Sequence, residues 1–489
     1  MIGDLKPYPA CKESGVAWLG QVPAHWEVST LRRKLRPYDG IKIGPFGSQL
    51  KLEQMSASGF KVYGQANVIA RDFARGTKYV DVKKFDELSA CKVQPGDLVI
   101  TMMGTSGRCA RVPETADAGI MDSHLLRLRV DATIDAGFAA LVIDKAPYIK
   151  EQISAAGKGS IMHGLNSSMV KDLVLACPPL PEQASAVRFI DHVDRRIRRY
   201  IRAKQRLIAL LNEQKQATIH SAVTRGLDPN VRLKPSGVEW LGDVPEHWEV
   251  RPLKHLVPQV TVGIVIQPAR LYVSSGVPCL RSLNISSGVV RADNLVFISA
   301  ESNKEHRKSQ ILTGDLVVVR TGQAGVAAVV PPEFDGANCI DLLVVRQSPR
   351  IISDYLLTYL NSWGARTDVQ YRSVGAIQAH YNTATLANLV VPLPPETEQR
   401  AILDDVSRHL EPVVRSEGAT SREIALLREY RTRLIADVVT GKLDVREAAA
   451  LLPQEAGESE PVDPADDSVS DDEEQIELSR ADADEGAEA

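Results

Sequence analysis

Long apolar runs are missing from this 489-residue chain: every such stretch is cut by a charge or a glycine well before about 18 residues, the minimum for a membrane helix. Residues 1–9 lack the basic start and hydrophobic centre of a secretory leader, so the expected address is cytoplasmic. The six cysteines (Cys11, Cys91, Cys109, Cys177, Cys279 and Cys339) show no Cys-x-x-Cys spacing. That argues against structural zinc and against a disulfide framework, and leaves them as small buried hydrophobes. There is no Gly-x-x-x-x-Gly-Lys-Ser/Thr phosphate loop, and no Asn or Asp followed by Pro-Pro-aromatic, the arrangement adenine methyltransferases offer a flipped base. Pro331-Pro332-Glu333-Phe334 comes nearest, but Val330 stands where a polar group is needed. With no nucleophile or metal cluster visible, the chain is expected to be non-catalytic and to hold no cofactor or metal itself.

Aromatic residues are scarce at 5%, yet four of the five tryptophans fall in one segment written twice. Ser14-Gly15-Val16-Ala17-Trp18-Leu19-Gly20-Gln21-Val22-Pro23-Ala24-His25-Trp26-Glu27-Val28 returns 222 residues later as Ser236 to Val250, with Trp240, His247 and Trp248 in place of Trp18, His25 and Trp26. Pro95-Gly96-Asp97-Leu98-Val99 is echoed by Thr313-Gly314-Asp315-Leu316-Val317, and Val223-Thr224-Arg225-Gly226-Leu227-Asp228 by Val439-Thr440-Gly441-Lys442-Leu443-Asp444. A period this long means two homologous domains, not a solenoid.

Within each half, short apolar runs bounded by turns read as strands, such as Leu98-Val99-Ile100 and Leu316 to Val319. Then Pro178-Pro179-Leu180-Pro181 opens a stretch without proline or glycine up to Gly226, where Ile190, Val193, Ile197, Tyr200, Leu207 and Leu211 fall at coiled-coil spacing. About 44 helical residues would reach roughly 65 Å. After Pro392-Leu393-Pro394-Pro395 a second seam follows, from Ile402 to Val438, in which Pro412 and Gly418 predict a kink or short break. The fold class is therefore α+β: two mixed domains separated by two long helices paired as an antiparallel coiled coil about an internal pseudo-twofold, with the globules at opposite ends. The expected divisions are 1–177, 178–228, 229–391, 392–452 and a tail at 453–489. Residues 454–489 hold fifteen Asp or Glu against Arg480 alone, a charge of -14 within a chain of net -4, which leaves +10 on the remainder. The tail is expected to be disordered, and the basic body suits nucleic acid.

The doubled Ser-Gly-Val-x-Trp-Leu-Gly-x-Val-Pro-x-His-Trp-Glu-Val, the Pro178-to-Gln183 motif Pro-Pro-Leu-Pro-Glu-Gln and the Val-Thr-Arg-Gly-Leu-Asp helix end closely resemble the specificity subunit of type I restriction-modification enzymes. Gly44 to Lys51 and Gly276 to Ile285 also look like segments of that family's target recognition domains. The resemblance implies a non-catalytic subunit in which each recognition domain reads one half of a bipartite DNA target and the paired helices set the gap. It implies two methyltransferase subunits using S-adenosylmethionine and, in the full complex, two endonuclease/translocase subunits using ATP and Mg. The other reading the residues leave open is an assembly scaffold that binds two proteins without reading DNA.

Base reading calls for Arg, Lys, Asn and Gln on loops, since Arg pairs with guanine and Asn or Gln with adenine. The candidates are Lys42, Lys51, Arg71, Arg75, Lys78, Lys158 and Asn166 in the first domain, and Arg270, Arg281, Asn284, Arg320, Gln323, Gln378 and His380 in the second. Trp18, His25, Trp26, Trp240, His247 and Trp248 are read as packing or partner-docking residues. Asp97 and Asp315 read as turn caps. Arg195, Arg199, Arg202 and Arg206 share one face of the first helix, as a solvated stripe paired with Glu411, Glu417 or Glu423, or as phosphate contacts.

Overall fold

A computed structural model describes residues 5–45, 49–104, 106–157, 165–266, 268–362, 364–365 and 381–453. The acidic stretch expected at 454–489 lies outside them. The chain divides into two compact units, Met1–Ala203 with Glu423–Ala489, and Lys204–Arg422, so each long helix contributes residues to both.

In the first unit, Ile41–Ile43, Leu125–Leu128, Leu98–Thr101 and Cys109–Arg111 lie side by side in that order as an antiparallel sheet. Leu98, Val99 and Ile100 form the continuous apolar run expected of a strand buried on both faces, and they are at most 1% exposed. A second sheet orders Tyr79–Val80, Phe60–Tyr63, Gly119–Met121 and Lys92–Val93, with Gly119–Met121 parallel to Phe60–Tyr63. The Trp26 segment leads into Glu27–Thr30, which pairs with Val174–Cys177 just before the first long helix.

The second unit repeats this plan. Val260–Val262, Leu342–Val345, Leu316–Val319 and Ala327–Val329 make the antiparallel sheet, and Tyr272–Val273, Val296–Ile298, Val277–Leu280 and Asn338–Cys339 the other, again with one parallel pair. Glu249–Pro252 pairs with Val390–Leu393 before the second long helix. Its core gathers Trp248, Tyr355, Tyr359 and Tyr381 around Val223 and Ile402 from the helices.

The long helices span Leu180–Arg225 and Glu396–Val439. In the first unit Asp194 meets Arg431, and in the second Asn212 meets Glu417. Numbering rises along one helix as it falls along the other, which makes the pair antiparallel. Of the expected seam on the first helix, Ile190, Val193 and Ile197 are buried and Leu211 is half-buried, whereas Tyr200 and Leu207 are exposed and Ile201, which was not a seam position, is buried beside them.

Of the kink or short break expected near Pro412, the break does not occur: Glu396–Val439 runs through both Pro412 and Gly418 as one helix. Proline removes the hydrogen bond to the carbonyl four residues back, here Arg408. Arg408 and Pro412 are both exposed, so water can satisfy that carbonyl while the seam holds the helix on its other face.

Candidate nucleic-acid interface

The repeated tryptophan segments are anchors. Trp26 is 2% exposed and its Nε1 donates to Glu182 Oε2 at 3.0 Å, from the first turn of the first long helix. The same carboxylate accepts from the Tyr8 hydroxyl at 3.2 Å and Arg446 Nη1 at 3.2 Å, and lies 2.8 Å from His25 Nε2. Burial first, then the Glu182 charge, push the Tyr8 hydroxyl well above the usual tyrosine range. In the second unit His247 Nε2 sits 2.8 Å from Glu398 Oε2 at the start of the other helix. Trp248 is fully buried, but its Nε1 has no hydrogen-bond partner among the described residues. Gly441, just past the second long helix, fits under the Trp26 anchor because a Cβ would stand 2.3 Å from Pro23 Cδ and 3.1 Å from Trp26. Trp18 remains half-exposed and Trp240 lies near Tyr359 at 6.3 Å between ring centroids. Glu182 and Glu398 were not among the sequence candidates, although both occur in a duplicated Glu-Gln dipeptide following prolines.

The DNA-contact candidates fall into distinct situations. Lys42, Lys51, Arg75, Arg270 and Gln323 have exposed side chains, and Lys78 is half-buried. Asn166 caps the helix Ser167–Asp172 by accepting from the Ser168 and Met169 amides. Arg320 Nη1 pairs with Asp341 Oδ1 at 2.8 Å, and Arg281 Nη2 donates to the Asn294 carbonyl at 2.6 Å. Asn284 is fully buried and its side chain bonds Arg281 N, Arg291 O and Asp293 O, so it locks a turn rather than facing a ligand. Asn67, which the sequence did not flag, makes the same lock with Gly64 N, Asp72 O and Arg75 O. Lys158, Gln378 and His380 lie outside the described residues, as does part of the Gly44–Lys51 segment. Gly44 itself is explained by close approach, since a Cβ there would stand 1.6 Å from the Asp122 carbonyl oxygen.

Asp97 and Asp315 cap their turns, accepting from Gln94 N and Leu312 N at 2.9 Å. Each also pairs with an arginine, Arg129 at 2.7 Å and Arg346 at 2.5 Å. Arg71 does not stand alone: its Nη2 reaches Asp144 Oδ2 at 2.5 Å, and Arg108 Nε and Lys145 Nζ reach the same carboxylate at 3.0 and 3.2 Å. Burial alone would raise the Asp144 carboxyl, but Lys145, Arg71 and Arg108 outweigh it and hold the group below the usual carboxylate range. Among the described residues no group of three or more His, Cys, Asp or Glu is placed to hold a metal ion, and no helix is long and apolar enough to cross a membrane.

The chain is 22% identical over 308 residues to the specificity subunit of the type I restriction enzyme MjaVIII of Methanocaldococcus jannaschii, covering 62% of this chain and 68% of that one. It is 23% identical over 361 residues to the EcoBI specificity subunit of Escherichia coli, covering 72% and 74%. A chain from a structure describing complex assembly and conformational transition of the type I R-M system matches with a TM-score of 0.64 at 16% identity, over 86% of this chain and 99% of that one. The last is a likeness of fold. No family model matches the chain.

Proposed function

We propose that this chain, a relative of the type I restriction enzyme specificity subunits, is the non-catalytic DNA-reading subunit of a type I restriction-modification complex. The observation that carries the reading is one architecture built twice in a single basic body, each copy tied to the start of its own long helix by the same histidine–glutamate pair. Each globule reads one half of a bipartite double-stranded target, and the helix pair sets the gap. The reading loops differ between the copies, so the halves of the target are unlike. Two modification subunits bring S-adenosylmethionine and the adenine chemistry, and two restriction subunits bring ATP and Mg in the full complex, all in the cytoplasm. Exposed Tyr200, Leu207, Leu210, Leu426 and Tyr430 on the long helices are apolar surface for these partners to cover.

The test is to express the chain with its modification subunits and map methylated adenines genome-wide, with and without it. An asymmetric two-part motif that vanishes with the chain is expected. Exchanging residues 28–176 for another such domain should change one half of the motif only. Methylation of an unbroken palindrome, or a motif indifferent to the exchange, refutes the reading and favours a plain assembly scaffold.

A further inference from the structure

We propose that the stretch Asp471 to Leu478 of the chain's own acidic tail docks into an apolar groove on the first unit, its aliphatic pair filling the groove and its carboxylates meeting Arg196 at the rim.

The groove encloses about 440 Å³ between the first long helix, the second long helix and the short helix Arg446–Ala450. Tyr200 and Tyr430 line it while 53% and 39% exposed, and large apolar side chains left open to water in one hollow mark a contact surface. No carboxylate lines it. Arg196, its one permanently charged side chain, is exposed and pairs with no carboxylate among the described residues.

What fills this groove must be present once. Gln183 accepts from Asp135 N and donates to Pro178 O as Gln399 does with Ile352 N and Pro394 O. At the other ends, Thr224 bonds His220 O as Thr440 bonds Ala436 O. The two long helices therefore match residue for residue. On that match Phe189, His192, Tyr200 and Tyr430 answer to Asp405, Arg408, Ser416 and Gln214, and Arg196 answers to Pro412. The second unit has polar side chains where the first has the groove, so two identical partners related by the repeat would not meet the same surface. Ala448 and Leu452, on the groove's remaining side, come from sequence after the last repeated motif, which ends at Asp444.

The tail is present once and begins at the groove. The described residues end at Pro453, next to Leu452 in the groove wall, and Arg188 Nη2 donates to the carbonyls of both, at 2.7 Å to Leu452 and 3.2 Å to Pro453. Ile476 lies 23 residues beyond Pro453, and with Leu478 it makes the tail's one close pair of large aliphatic residues. A flexible linker of that length spans roughly 24 to 29 Å and holds the segment at an effective concentration of about millimolar, enough to populate a short contact. Asp471-Asp472-Glu473-Glu474, just before the pair, supplies carboxylates for Arg196, and none in the lining repels them. Tyr200 and Tyr430 are also among the side chains assigned above to partner subunits. The tail thus covers them in the free chain and gives way on assembly, a handover that alone rests on the function proposed above.

The test places the photo-cross-linker benzoylphenylalanine at position 430 of the full chain, or at 451, where Leu451 is 76% exposed, should the first probe disturb folding. Mass spectrometry then identifies the peptide it joins. In the free chain the product should contain residues 471–480 of the same chain, in a yield unchanged by dilution. Ile476→Asp with Leu478→Asp should cut that yield about tenfold or more, and Arg196→Glu should also lower it, whereas Ile476→Leu with Leu478→Ile should keep it. No tail product from either probe, a product that survives the two aspartates, or a yield that rises with concentration and so comes from a second copy overturns the docking. A tail product undiminished once the modification subunits are bound overturns the handover. Because the docking is judged on the free chain, a failure of sequence reading does not bear on it.

Discussion

Replacing Glu182 by alanine should damage the chain far more than the same change at Glu398, although the two residues open equivalent helices. Glu182 receives Trp26 Nε1, the Tyr8 hydroxyl, Arg446 and His25, whereas Glu398 receives His247. Removing the Glu182 carboxylate leaves Trp26 Nε1 and the Tyr8 hydroxyl buried without an acceptor, at about 1 to 3 kcal/mol each. Arg446 keeps its bonds to Asp444, and the half-exposed His25 pair adds roughly 0 to 1 kcal/mol. The loss should therefore total about 2 to 7 kcal/mol. At Glu398 nothing comparable is stranded, because the Trp248 indole N–H has no partner among the described residues, and the pair of Glu398 with the exposed His247 predicts a loss of about 0 to 1 kcal/mol. A chain of two compact units need not unfold in one step, so the assay is urea-dependent hydrogen exchange read separately on amides of each unit. Equal losses for Glu182→Ala and Glu398→Ala, or unchanged protection around Tyr8, Trp26 and Asp444 in the first, would refute this account of the anchor.

Asp144 is held ionised, so its stabilising contribution is present above the unfolded carboxyl value of about 3.9 and fades as pH falls toward its depressed folded value. The gap in urea midpoint between the chain and Asp144→Asn should therefore be wide at neutral pH and shrink near pH 3, and a pH-independent gap contradicts it. Of the six thiols only Cys11 is exposed; burial pushes Cys177 to about 11 and Cys279 to about 12. Maleimide should then add once to the native chain, at Cys11, and rapid addition elsewhere overturns the packing described. Pro412→Ala should restore a helical hydrogen bond at an exposed site and stabilise the chain by about 1 to 3 kcal/mol, read as a higher midpoint in thermal circular dichroism; no gain would mean the proline costs nothing there.

The repeat was legible because its carriers, Trp26 and Trp248, are costly side chains whose place in a core fixes their neighbours. Prolines 178 and 179 and Gly226 bracket Leu180–Arg225 because the former resist helix entry and Gly226, at φ 72°, ends it. Pro412 misled because a local rule says nothing about which face a residue occupies: exposed, it loses one bond without breaking the helix. The site was harder to read. Asn284 has the right side chain for adenine but spends it on its own backbone, and only tertiary closure reveals that. Arg71 and Arg108 lie 73 and 36 residues from Asp144 in the chain, a separation at which no spacing rule announces a cluster.

What the two copies kept and what they changed separates scaffold from opportunity. The Asn67 and Asn284 locks, and the Asp97–Arg129 and Asp315–Arg346 pairs, recur because each satisfies buried backbone or charge that every copy of the fold must satisfy. Positions that both apolar and charged residues can fill have diverged. Arg127, opposite Val99, is 2% exposed and bonds Asp39 and the Lys92 carbonyl; its counterpart Val344, opposite Val317, is simply core. Asp144 accepts from Cys109 N as Asn361 accepts from Ala327 N, and the two differ in the same way. The extra charges thus accumulated on the first globule where the scaffold tolerates either chemistry. Selection on what that globule binds could act there without undoing the fold, so sensitivity to salt should be sought first in the first half of the chain.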